Sequence, residues 1–201
     1  MKDNLTEKID SFWRWFEKME PQYRKFFSDE PVNTELLIEA MNNRVLDFGQ
    51  FKWEMREGKQ GILQFIISPN CDHELFEVSK TIVQQQPRLD SWMFLPALPP
   101  QKTDFQFDMY DNAMRLIKID ATNWRFLLED IEGLIEVVFE ISNLKNVEFD
   151  TQIEAAETLL KKIIGEEKFI DKIGGLEVTE QFDDWEEGIA IQQIAQKFDE
   201  L

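Results

Sequence analysis

Between Gly61 and Pro96 the spacing of apolar positions changes period twice. The run Ile62 to Ile67 is apolar, rich in β-branched and aromatic residues, and stops at Ser68-Pro69-Asn70, which predicts a buried strand followed by a helix capped at Asn70. Leu75, Phe76, Ser79, Ile82 and Val83 then recur on one helical face until Gln86-Pro87 ends the pattern, and Trp92 to Leu95 makes a second short strand.

The same reading extends in both directions. Asn4 followed three positions later by Glu7 is a capping-box pattern, and Ile9, Phe12, Trp13 and Phe16 share a face, predicting a helix from Leu5 to Met19. Pro21 suits the first turn of a further short helix carrying Tyr23, Phe26 and Phe27. Asn33 caps a helix from Thr34 to Asp47 with Leu37, Met41, Val45 and Phe48 inside. From Gly49 the period becomes two: Phe51, Trp53 and Met55 alternate with Lys52, Glu54 and Arg56, and the Gly58 to Gly61 turn predicts an antiparallel hairpin.

Beyond Pro96 the adjacent prolines and the Asp and Asn residues of ALPPQKTDFQFDMYDNA predict a crossing loop. Strands follow at Arg115 to Asp120 and Trp124 to Glu129. In LIEVVFEIS, Ile135, Val137, Phe139 and Ile141 occupy one face and Glu136, Val138 and Glu140 the other. Thr151 and Glu154 predict the cap of a helix with Ile153, Ala156, Leu160 and Ile164 buried and Gly165 at its end, before a strand at Gly175 to Thr179. A terminal helix carries Ile191, Ile194, Ala195 and Phe198.

EGKQGILQFIISPN, from Glu57, and EGLIEVVFEISN, from Glu132, each place an acid-glycine turn before an apolar strand, with a helix and a strand to follow. The expected fold is therefore α+β. A single domain, 1–201, comprises N-terminal helices (1–48), two ββαβ units (49–100 and 113–180) related by possible duplication, and an acidic tail with a final helix (181–201). The units are expected to share one mixed, mostly antiparallel sheet with helices on one face.

Composition narrows the function classes. In 201 residues, 43% hydrophobic with 17 Phe and 6 Trp, there is apolar mass for a full core. No run approaches the ~20 apolar residues of a membrane span. Forty acids against 22 Lys and Arg give a formal charge of −18, which opposes a phosphate backbone or an anionic membrane. Neither nucleic acid nor membrane is an expected partner. The first twenty residues lack the uninterrupted apolar core of a signal peptide, and the single Cys71 forms no internal disulfide, so a cytoplasmic location is expected.

Candidate chemistry is sparse. Cys71-Asp72-His73 puts a thiol and an imidazole at a helix start, but i and i+2 do not share a helical face, so a structural cap is the simpler reading. One Cys and one His without CxxC or HxxxH spacing predict no metal site, and the absence of GxGxxG, GxxxxGK[ST] and GxSxG leaves no cofactor expected. Glu136 and Glu140, with Glu129, Asp130 and Glu132 nearby, offer carboxylates for acid–base work; a solvated sheet face is the commoner meaning of such a pattern. Asp183, Asp184, Trp185, Glu186 and Glu187 surround an interface-favoring ring with charge, against which stands a Trp that merely anchors the tail. The aromatics from Trp92 through Phe105, Phe107 and Tyr110 either line a groove or close the core. Two functions follow. The favored one is a non-enzymatic acidic binding or regulatory protein, of inhibitor or immunity type, recognizing a basic protein through 183–187. The alternative is a carboxylate-dependent hydrolase using Glu136 and Glu140.

Overall fold

A computed structural model describes residues 2–183 and 187–201. The fold is α+β, and the chain packs as two compact units, residues 1–98 and 99–201, each with its own core. The break lies two residues beyond Pro96, within the segment read as a crossing loop.

In the first unit, α1 (Lys2–Arg24) runs through Pro21, where a helix ending at Met19 and a separate short one were expected. Proline removes an intrahelical bond at a cost of ~3 kcal/mol. Contacts on both sides of it offset that loss: Ile9, Phe12, Trp13, Phe16 and Tyr23 are all buried, and Tyr23 stacks on Phe16 at 6.0 Å. The Tyr23 hydroxyl donates to the Leu37 carbonyl of α2 (Thr34–Leu46) at 2.9 Å, and burial pushes its pKa up to about 12. β1 (Lys52–Glu57) and β2 (Leu63–Ser68) form the expected antiparallel hairpin, with Gln60 and Gly61 both at positive φ in the turn.

α3 (His73–Gln84) leads to β3 (Trp92–Leu95), which pairs parallel to β2, giving the order β1-β2-β3. The cap of α3 is Asp72 and not Asn70. Asn70 and Cys71 take left-handed φ values of 54° and 62°, which carry the chain round so that the Asp72 carboxylate accepts the Leu75 N–H at 2.8 Å. Polar handles tie α1 to the other elements: Trp13 Nε1 donates to the Ile82 carbonyl at 2.8 Å, and Trp92 Nε1 to buried Glu20 at 2.6 Å. Glu20 also accepts from Arg24 one turn along α1.

The second unit opens with a correction. The supposed crossing loop contains β4 (Gln106–Tyr110), paired antiparallel with β5 (Leu116–Asp120). Phe107 and Met109 alternate with Gln106, Asp108 and Tyr110, a period of two masked by the prolines before it. Asp111 fixes the turn: its carboxylate accepts the N–H groups of Ala113 and Arg115 at 3.0 and 2.7 Å.

β6 (Arg125–Ile131) and β7 (Leu134–Glu140) form a hairpin, α4 (Phe149–Ile164) and α5 (Glu166–Lys172) cross over, and β8 (Ile173–Thr179) returns parallel to β7. A two-residue β9 (Ile189–Ala190) completes the order β8-β7-β6-β9, and α6 (Ile194–Asp199) docks through Phe198.

Ile135, Val137, Phe139 and Ile141 are buried as expected, against Ala155, Ala156, Leu159, Leu160, Ile163 and Ile164 of α4. Ile153 is half-buried, and Ala195 of α6 is exposed. α4 starts two residues before Thr151, so Thr151 is no cap; its hydroxyl is buried inside the helix without a hydrogen-bond partner.

Among the described residues the strands lie in three sheets, of three, two and four strands, and not in one shared sheet. Both units follow the path hairpin, helix, parallel strand, which is a likeness of path only.

Candidate functional site

The 183–187 segment of the second unit lies between two fixed points. Upstream, the Phe182 N–H donates to Glu140 Oε2 at 2.9 Å, and the Phe182 ring is buried, with the Arg125 guanidinium 5.6 Å from its centroid. Downstream, Gly188 lies against that ring: a Cβ on Gly188 would come within 2.6 Å of it, so a larger residue there forces the ring or the chain to shift. Ile189 and Ala190 then pair with Phe126 and Arg125. Both ends of the acidic segment therefore attach near Arg125. Asp183 and Glu187 are exposed; Asp184, Trp185 and Glu186 lie outside the described residues.

Glu140 belongs to this attachment. It accepts Arg125 Nε at 3.1 Å and Arg125 Nη2 at 2.5 Å, a two-pronged pair across the β6–β7 ladder, where the two residues are direct partners. Burial raises its carboxyl, but the Arg125 hydrogen bond, the Phe182 amide and the Arg125 charge together outweigh burial and hold it below the ordinary range.

Glu136 lies four residues away on the same strand, its backbone about 13 Å off at ~3.3 Å per residue. The sheet instead pairs Glu136 with Glu129 directly across from it, where Cβ atoms are ~5 Å apart. The Glu136 carboxylate folds over the neighboring β8, in the space a Cβ on Gly175 would fill.

The remaining candidates resolve simply. Asp72 caps α3, and His73 is exposed at its first position. Trp92 and Phe94 enter the first core, Phe105 and Phe107 pack half-buried on the second, and Tyr110 is exposed. Among the described residues no three His, Cys, Asp or Glu side chains gather as a metal site, and no helix is long and apolar enough to cross a membrane.

The part of this site that sequence reasoning missed is its platform, Arg125, Phe182 and Gly188. Phe182 sits among acids with no periodic partner, so only its contacts with Glu140 and Arg125 reveal its role. No family model, curated protein or solved structure matches the chain.

Proposed function

We propose that this chain is a non-enzymatic binding protein that recognizes a basic protein partner through the acidic segment 183–187. The observation that carries this reading is the anchoring of both ends of the segment near Arg125, by the Phe182 amide on Glu140 and by β9 on β6. A short stretch with both ends held loses less freedom on binding than a free tail, so more of its contact energy appears as affinity. The formal charge of −18 supports steering of a basic partner. Glu140, already paired with Arg125, lies outside the recognition charge.

The test is retention of proteins from cell extract on immobilized protein, followed by binding kinetics. Replacing Asp183, Asp184, Glu186 and Glu187 by their amides is expected to slow association and flatten its salt dependence, while Trp185→Ala accelerates dissociation. Equal binding by wild type and both variants excludes the segment as the interface.

The second reading, a carboxylate-dependent hydrolase, is favored only by the facing pair Glu129 and Glu136. It requires hydrolysis of a glycoside panel by wild type that is abolished in both Glu129→Gln and Glu136→Gln.

A further inference from the structure

On the first unit, α1 and Arg44 of α2 line an open cleft of about 490 Å3, bounded by Glu7, Asp10, Arg14, Trp15 and Lys18, with Ser11 beside them. Arg44 is half-buried in the last turn of α2, its guanidinium 5.2 Å from the centroid of the Trp15 ring. Trp15 is itself held by Phe12 and Tyr23, each with its ring centroid 6.0 Å away. A cation near the end of a helix is favored by the helix dipole, which accounts for a basic residue at this position. It does not account for the guanidinium's donors, which have no hydrogen-bond or ion-pair partner among the described residues. Lys18 is exposed and makes no ion pair among the described residues. Among the described residues Arg14 is paired only with Asp10, at 3.8 Å, with the two side chains 76% and 56% exposed, a pair that water and salt weaken readily.

We propose that this cleft binds a small phosphoryl-bearing anion, anchored by Arg44 and closed by Arg14 and Lys18. A guanidinium held against an indole keeps its planar fork oriented, and that fork matches two oxygens of a phosphoryl group. Arg44, Arg14 and Lys18 outnumber Glu7 and Asp10 in the lining, which leaves a net positive charge for the anion. The volume lies within the ~300–1,000 Å3 of small-molecule sites, which leaves room beyond the phosphoryl group. Asp10 lies beside Arg14, whereas Glu7 is eleven residues from Lys18, about 16 Å along α1. At that distance Glu7 can accept a hydrogen bond from a hydroxyl of an organic phosphate, so the anion is either free or carried on an organic body.

The chain's charge of −18 repels anions in general, so measurable uptake reports a local site and not bulk attraction. The experiment is calorimetric titration of the full chain at low ionic strength with inorganic pyrophosphate and, separately, adenosine monophosphate. One site is expected, weakened tenfold or more in Arg44→Gln and in Lys18→Gln, and unchanged in Lys118→Gln, an exposed lysine of the second unit. Tighter binding of the nucleotide assigns an organic phosphate, and tighter binding of pyrophosphate the free anion; either supports the site. Absence of binding by both anions, or Arg44→Gln binding as wild type, overturns it. Should a variant fail to fold, the wild-type Arg44 Nε–H resonance decides: a shift on adding pyrophosphate supports the proposal, and an unmoved signal refutes it.

Discussion

Individual residues carry more than one duty, and the double duties are what sequence periodicity misses. Thr151 reads as a cap because Glu154 follows three positions later, yet α4 begins earlier and the hydroxyl is fully buried without a partner. Burying an unpaired hydroxyl costs ~1–3 kcal/mol, and valine keeps the shape. Thr151→Val should therefore raise stability by about 1 kcal/mol, read as a higher denaturation midpoint with unchanged slope. Glu140 reads as a solvent-facing acid but clamps Arg125 and Phe182. Its folded pKa lies below the unfolded value, so the stabilization is fully present above the ordinary carboxylate range and is lost as pH falls through the folded value. The Phe182 amide resonance should accordingly titrate with a midpoint below the ~4.3 of a free glutamate. In Glu140→Gln that titration should vanish.

At the scale of elements, helices and strands with strong periodicity were legible, and their limits were not. The hairpin β1–β2, the strand β7 with its buried face and the helix α3 follow directly from alternating or helical spacing. α1 outruns its sequence signal because Phe16 and Tyr23 hold it on both sides of Pro21. α5 escaped notice because Gly165 ends α4 and begins α5 at once, leaving no loop between them. That glycine has φ +83°, and a Cβ there would lie 2.7 Å from Pro100 Cδ. Gly165→Ala should cost roughly 2 kcal/mol or more, from backbone strain and overpacking together. A midpoint like that of wild type would mean that Pro100 yields freely.

For the whole molecule, the two cores are disjoint sets of residues, the first from Ile9 to Phe94 and the second from Ile119 to Phe198. Phe139 and Phe65 are each fully buried in their own core. Removing either ring should cost roughly 3–5 kcal/mol. Hydrogen exchange should show that loss confined to the unit that contains it: Phe139→Ala exposes β6, β7 and β8, while β2 keeps its protection. Loss of protection in both units would show that they unfold together. Charge acts at this scale too. Salt shortens the Debye length to about 8 Å at physiological ionic strength, so association of a basic partner with segment 183–187 should slow as salt rises.

The sequence by itself determined the class of the fold, the main buried faces and the charge, because these depend on local spacing and on composition. Val137 and Phe139 must face inward whatever lies opposite, and forty acids remain forty acids. Only the tertiary structure decided which strands share a sheet, that Glu136 faces Glu129 and not Glu140, and that Arg125, Phe182 and Gly188 hold the acidic segment. It alone set Arg44 against Trp15, twenty-nine residues apart in the chain. Such juxtapositions depend on register and on packing between distant segments, and no periodicity within one segment encodes them.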